Sequence, residues 1–390
     1  MNNKLLIAAA GSGKTTYLIN EAMKFRDEKV LITTYTEENA EEIKKKIIER
    51  YKSIPSHIMI QTWFSFLIKH GVKPYQGTFN ELLFDYEIKG MVLNNGEFGF
   101  KYFSKKLNAP VPFKEDEEFL LHYFIKSQKI ISDRLPKFVV KSNKAVGGEL
   151  INRISRIYQH IFIDEVQDLA GYDLEIIKLL FRTNSNIILV GDPRQVTYLT
   201  HHERKYGKYK DGKIKEFIMG ECKRPITYDI DENTLNSSHR NNKDICLFSS
   251  RLYDVKAFNP IKPCECPGCR NDKIGAEGIY LVKPEDVENY LFTFAPVQLR
   301  WNVLKEMNSK YPIYNFGSSK GKTFNRVLIY PTDEIEKWIY NNTIKLASQT
   351  RAKFYVAITR AKYSVGIVTD FPDGTDIEGV QLYKPNKVEN

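Results

Sequence analysis

Gly11-Ser12-Gly13-Lys14-Thr15-Thr16 follows directly on the apolar run from Leu5 to Ala10. Glycines let a chain turn its backbone N–H groups onto a common anion, and the lysine after them reaches outer phosphate oxygens. In that chemistry Ala10, Gly11, Ser12, Gly13, Lys14, Thr15 and Thr16 contact phosphate, Lys14 acts on the β and γ oxygens, and the Thr15 hydroxyl ligates Mg²⁺. Ala8 stands where the generic pattern has its first glycine. A second group is Ile161-Phe162-Ile163-Asp164-Glu165-Val166-Gln167-Asp168. An apolar strand delivering two adjacent carboxylates suits metal-assisted hydrolysis, with Asp164 holding Mg²⁺ through water and Glu165 orienting and deprotonating the attacking water. Acids at this position also suit a helix N-terminus; the phosphate loop upstream favours the catalytic reading. A third group is Cys264-Glu265-Cys266-Pro267-Gly268-Cys269, a tight turn whose thiolates suit tetrahedral zinc. The fourth ligand is expected to be Cys222, with Cys246 or a histidine next in line; reduced surface thiols are the alternative.

The elements that must position these groups alternate between buried strands and helices. Strands are expected over 4–10, 29–34, 58–61, 160–164 and 186–191, with helices over 17–25, 37–51 and 174–181. A long aromatic region over 63–158 reads as mostly helical, broken near Gly77, Gly90 and Pro110 to Pro112. A second α/β unit is expected from about Asp231, with strands over 278–282, 327–330 and 364–368 and a helix ending near Ala361. Strand–helix alternation around a phosphate loop indicates an α/β fold with parallel sheets.

Composition bounds the function classes. The chain has 390 residues, 42% of them apolar, and a formal net charge of +10. That excess of Lys and Arg suits an anionic partner, most naturally nucleic acid. No apolar run approaches the ~18 residues that a bilayer crossing needs. The N-terminus lacks the basic stretch and cleavage site of a signal peptide. Five cysteines in a chain this long are not a secreted disulfide framework. A cytoplasmic protein is expected.

Taken in order, the motifs resemble the UvrD/Rep/PcrA type of superfamily 1 helicase. Ala10-Gly11-Ser12-Gly13-Lys14-Thr15 and Asp164-Glu165-Val166-Gln167-Asp168 are similar to its two nucleotide motifs. Thr34-Tyr35-Thr36 resembles motif Ia, and Thr62-Trp63-Phe64-Ser65-Phe66 resembles motif Ib, with Phe64 where the family usually has His. Gly191-Asp192-Pro193-Arg194-Gln195-Val196-Thr197-Tyr198 is similar to motif III, and Ser237-Ser238-His239-Arg240 to motif IV. Ser318-Ser319-Lys320-Gly321-Lys322-Thr323 resembles motif V, and Tyr355-Val356-Ala357-Ile358-Thr359-Arg360-Ala361 motif VI. The resemblance implies two RecA-like lobes that hydrolyse ATP with Mg²⁺ while moving 3′ to 5′ on single-stranded DNA or at a single/double-strand junction. It implies that Gln195 senses the γ-phosphate, that Arg240 and Arg360 stabilise its charge, and that Gly321 lies at the nucleotide. It assigns Thr34, Tyr35, Thr62, Trp63, Phe64, Tyr198, Ser319 and Lys320 to DNA. Aromatic faces stack bases regardless of sequence.

The expected lobes are 1–72 with 156–226, and 227–390; a modest helical insertion occupies 73–155 and a short cysteine-rich one lies around 255–277. The family's adenine-reading glutamine segment has no room before Lys4, and Thr323 replaces its motif V glutamate. The large domain that usually separates motifs IV and V does not fit in 254–315. A compact helicase core is therefore expected, a translocase with weak unwinding on its own. The alternative is a DNA-stimulated ATPase subunit that regulates a partner such as a nuclease; no nuclease motif occurs here. A P-loop kinase is the remote third reading and would have no use for the two arginines.

Overall fold

The computed structural model describes residues 3–94, 96–106, 108–197, 205–269 and 275–385. The chain divides into two units. The first contains Met1–Leu5, Thr15–Val190 and Leu199–Ile230; the second contains Leu6–Lys14, Gly191–Tyr198 and Asp231–Asn390.

The first sheet has six strands in the order Tyr228–Asp231, Asn3–Ile7, Asn186–Gly191, His160–Ile163, Val30–Thr34, Ile58–Thr62. Val30–Thr34 runs parallel to both Ile58–Thr62 and His160–Ile163, which in turn runs parallel to Asn186–Gly191. Val30–Thr34 and His160–Ile163 are buried at every position, as near-continuous apolar strands covered on both faces must be. Helix Glu37–Tyr51 starts where the Thr36 hydroxyl accepts the Asn39 N–H at 3.2 Å, with Glu37 and Glu38 in its first turn. It buries Ala40, Ile43 and Ile47 and ends at Lys52, which turns left-handed with φ 68°.

The inserted region departs from the all-helical expectation. Phe100–Ser104 pairs antiparallel with Ala109–Pro112, and Met91–Val92 pairs with Ile130–Ile131. Pro110 and Pro112 supply no N–H, which bars a helix and suits a short edge hairpin. Helices Leu135–Ala145 and Glu149–Ile157 close the region. Gly71 lies so close to helix Leu135–Ala145 that a Cβ there would meet the Val139 side chain at 2.7 Å. His122 is buried here: its Nδ1 donates to the Phe113 carbonyl at 2.7 Å, and its Nε2 accepts from Lys137 Nζ at 3.2 Å.

The second sheet is parallel throughout, in the order Ile313–Asn315, Val297–Arg300, Phe324–Ile329, Ala361–Val368, Gly278–Val282, Val380–Leu382. Helix Ser348–Ile358 packs on it and is buried along most of its length. Ala9 and Ala10 sit in this unit's apolar core, which also holds Phe354 and Tyr355. Residues 6–14 and 191–197 thus cluster with the C-terminal half, whereas the sequence suggests the N-terminal lobe. Backbone bonds hold them there: Ala9 N–H donates to Leu235 O at 2.7 Å and His239 N–H to Gly11 O at 2.8 Å. The boundary falls at Ile230/Asp231, four residues beyond the expected 226/227. No helix among the described residues is long and apolar enough to cross a membrane.

Burial, assisted by the Lys137 ammonium, pushes the His122 imidazole down to about 4, and burial does the same to His70. A depressed base stabilises the fold fully above its unfolded value near 6.5, and that stability is lost as pH falls through 6.5 towards 4. The urea midpoint should therefore drop between pH 7 and pH ~4.5, with a shallower drop in the His122→Gln and His70→Gln variants; equal slopes would show that these rings are not buried neutral.

Candidate nucleotide site

The phosphate loop belongs to the second unit as far as Lys14. Ala8, Ala9 and Ala10 are fully buried, and Gly11 and Gly13 have φ of +72° and +85°, a region open to glycine at little cost. Gly11 is fixed from behind as well: a Cβ there would meet Arg240 Cβ at 2.6 Å and Ser238 Oγ at 2.8 Å. Ser238 Oγ donates to Ala10 O at 2.7 Å and accepts the Asn241 N–H at 3.1 Å. The Ser12 hydroxyl is buried with no hydrogen-bond partner among the described residues, which leaves a donor for an anion. Helix Lys14–Ala22 begins immediately after the loop, and the positive end of a helix favours phosphate. Thr15 and Thr16 are its next two residues, half-buried and exposed. The donors, glycines and lysine present fit a nucleotide phosphate chain.

A buried polar network stands beside the loop in the same unit. Asp192 is fully buried; its Oδ1 accepts from Arg194 Nε at 2.7 Å, and its Oδ2 accepts from Gln195 Nε2 and from the Tyr355 hydroxyl, both at 2.9 Å. Arg194 Nη2 donates to Ala8 O at 2.9 Å. Tyr355 OH in turn accepts the Ala10 N–H at 3.4 Å. Burial disfavours the Arg194 charge, but the Asp192 carboxylate outweighs it and holds the guanidinium above its ordinary pKa. Gln195 Oε1 accepts from Arg360 Nη2 at 3.2 Å. Arg360 is only 2% exposed and also donates to Val356 O and Lys322 O. Arg240 donates to Thr359 O at 3.2 Å. Gln195, Arg360 and Arg240, named from separate motifs, are therefore linked within one unit through Asp192, Tyr355 and the turn after helix Ser348–Ile358.

Within the first unit, Asp164 follows the end of strand His160–Ile163 and is 5% exposed. Its Oδ1 accepts the Glu165 N–H at 2.9 Å. Glu165 adopts φ +54°, a left-handed conformation that costs energy for a residue with a Cβ. Its carboxylate accepts a hydrogen bond from Gln167 Nε2. An acidic pair in this setting suits a hydrated divalent cation, with Asp164 and Thr15 as the residues that would hold Mg²⁺.

Several DNA assignments are corrected by burial. Trp63 is 1% exposed and its indole N–H donates to Asp173 Oδ1 at 2.7 Å, so it is a core residue. Phe64 and Thr34 are also buried, and Thr62 is spent capping helix Trp63–Phe66 by accepting the Ser65 N–H. Ser319 is fully buried and donates to Phe316 O at 2.7 Å. Tyr35 is half-buried, edge-on to Phe64 at 5.3 Å, and Lys320 is half-buried beside exposed Gly321. These keep an accessible face. Tyr198, with the 199–204 segment up to Arg204, lies outside the described residues.

The cysteine cluster is also corrected. Cys264, Cys266 and Cys269 do converge, but His239 is the fourth member, with all four ligand atoms within 4.8 Å of one another. Cys222 instead caps helix Ile214–Glu221 in the first unit, where burial pushes its thiol up to about 11.

A family model described as an AAA domain matches residues 1–201. The chain belongs to that family. Its resemblance to UvrD/Rep-type superfamily 1 helicases is shown by curated relatives as well. It is 26% identical over 238 residues to a probable DNA helicase II homolog of Mycoplasma genitalium, covering 50% of this chain and 34% of that protein. It is 26% identical over 235 residues to the ATP-dependent DNA helicase Rep of Buchnera aphidicola, covering 50% of this chain and 36% of that one. The alignments thus span about a third of these relatives' length. A solved arterivirus nonstructural protein 10 (helicase) superposes with TM-score 0.46 at 14% identity, over 95% of this chain and 60% of that chain.

Sequence reading missed Asp192, Arg194 and Tyr355 as positioning residues, although all three lie within quoted motifs. Replacing Trp63 with Phe should remove a hydrogen bond to a charged group and cost about 1.5–3 kcal/mol. Urea denaturation checks this; single-stranded DNA affinity should stay unchanged, and a loss of affinity at full stability would restore Trp63 to the DNA surface.

Proposed function

We propose that this chain is an ATP-dependent motor that translocates on single-stranded DNA, 3′ to 5′, in the cytoplasm. The observation that carries the reading is the phosphate loop at Gly11 to Lys14, backed by the Ser238–Arg240 segment and tied through Asp192 to Gln195 and Arg360. Lys14 and the loop amides bind the phosphates. Bound Mg²⁺, held by Thr15 and Asp164, would neutralise developing charge on the β and γ oxygens. Glu165 orients water and takes its proton. Gln195 reports the state of the γ-phosphate to the network that holds Arg360, while Arg240 and Arg360 offset the charge that grows in the transition state. Tyr35 and Lys320 are the contacts we assign to DNA, one by stacking and one by charge.

A second reading, a DNA-stimulated ATPase with little unwinding of its own, is favoured by one observation. Between Arg240 and Gly321 the chain forms helices Lys243–Ser250 and Val287–Phe294 and sheet strands Gly278–Val282, Val297–Arg300 and Ile313–Asn315. No large auxiliary domain is inserted among the described residues there. On this reading a protein partner, such as a nuclease, supplies the rest of the machine.

ATP turnover should rise on adding single-stranded DNA. Lys14→Ala and Glu165→Gln should each lower turnover by at least about 10²-fold, with Glu165→Gln still binding nucleotide. Tyr35→Ala should weaken DNA binding by ~1–3 kcal/mol. Turnover indifferent to DNA would sink both readings, and unwinding of a tailed duplex by the isolated chain would decide for the first.

A further inference from the structure

The turn 264–269 is not a loose appendage. Lys262–Pro263 pairs in parallel with Ser237–Ser238, and Cys264 N–H donates to Ser238 O at 2.9 Å. The pairing continues the chain so that the cysteine turn closes over the next residue, His239. There His239 Nδ1 lies 3.3 Å from Cys269 Sγ and 3.5 Å from Cys266 Sγ, while Cys266 Sγ lies 3.1 Å from Cys264 Sγ and 2.7 Å from Cys269 Sγ. These separations are longer than the ~2.05 Å of a disulfide. Three of the four are nearer the roughly 3.5–3.8 Å edges that Zn–S bonds of ~2.3 Å and Zn–N bonds of ~2.0 Å give a tetrahedron, and the Cys266–Cys269 pair is closer than such an edge. A single disulfide would also leave one thiol and the imidazole with no purpose in the cluster. A spread of 4.8 Å across all four atoms fits one ion, and three thiolates with one imidazole select zinc among common divalent cations.

We propose that His239 Nδ1 and the Sγ atoms of Cys264, Cys266 and Cys269 bind one structural zinc ion, and that this ion braces the phosphate loop. The brace is short. His239 N–H donates to Gly11 O, and its ring lies 3.8 Å from where a Cβ on Gly13 would stand. The residues on either side of it, Ser238 and Arg240, are those that a Cβ on Gly11 would strike. Fixing the His239 ring at a metal therefore fixes the segment against which the phosphate loop is moulded. Zinc acts here as a clamp from outside the nucleotide site, and the second half of the proposal rests on the nucleotide reading above; the first half does not.

Two measurements on the full chain separate these halves. Purified protein challenged with an organomercurial in the presence of a chromogenic zinc indicator should release one zinc per chain. Cys266→Ser and His239→Ala should release almost none, His239→Cys should retain the metal, and Cys222→Ser should behave as wild type. Cobalt substituted into the protein should give the intense visible bands of a tetrahedral thiolate site. Absence of zinc with freely titrating thiols, or zinc retained in Cys266→Ser, would overturn the site. Stripping the metal should weaken binding of a fluorescent ATP analogue about tenfold, or ~1.4 kcal/mol, reversed by adding zinc back. Unchanged affinity in stripped protein that binds the analogue normally would overturn the brace, whereas analogue bound by neither form would count against the nucleotide reading instead.

Discussion

The buried ion pair of Asp192 and Arg194 is the interaction on which the candidate site depends. Both side chains are withdrawn from water, at 0% and 3% exposure, and two charges in that position are tolerable only when every lone pair and proton has a partner. Asp192 accepts hydrogen bonds from Arg194, Gln195 and Tyr355, and Arg194 uses its Nε on Asp192 and its Nη2 on the Ala8 carbonyl. Ala8 leads into the phosphate loop, Gln195 is the residue assigned to the γ-phosphate, and Tyr355 belongs to helix Ser348–Ile358. One carboxylate and its partners therefore link residues of Leu6–Lys14, Gly191–Val196 and helix Ser348–Ile358 within one unit.

This arrangement makes chemical sense for a nucleotide motor. A hydrogen-bond network that is fully satisfied in one state is costly to leave half-satisfied in another. Gln195 uses its amide nitrogen on Asp192 and its carbonyl on Arg360, so a change at either end is felt at the other. Arg360 is held by backbone carbonyls as well as by Gln195, which sets the guanidinium's position before any substrate arrives. Preorganised charge of this kind spares the reaction the cost of reorganising it. The backbone at Glu165 is a parallel case in the first unit, where a residue held at φ +54° presents its carboxylate to Gln167.

Much of the fold was legible in the sequence because it rests on local signals. The helix over 37–51 and the strands over 186–191 and 278–282 occur at their expected positions, since periodicity, caps and glycines mark them. The candidate chemistry was legible through motif spacing at Lys14, Asp164, Gln195 and Arg360. What was not legible depends on long-range packing. Nothing in Thr62-Trp63-Phe64 tells that the indole finds Asp173, more than a hundred residues on. His239 and Cys264 are brought together by a two-residue strand pair, which has no sequence signature. The region over 63–158 reads as mostly helical, whereas Phe100–Ser104 within it is one arm of a hairpin whose other arm, Ala109–Pro112, holds two prolines.

The central claim is that Asp192 couples the tyrosine under the phosphate loop to the glutamine that holds Arg360. A double-mutant cycle on nucleotide affinity, combining Tyr355→Phe with Gln195→Ala, measures this most directly. Both side chains bond the same carboxylate oxygen, so their effects should be non-additive by about 0.5–3 kcal/mol. Effects that add to within about 0.3–0.5 kcal/mol would contradict the account and leave the two groups as independent neighbours.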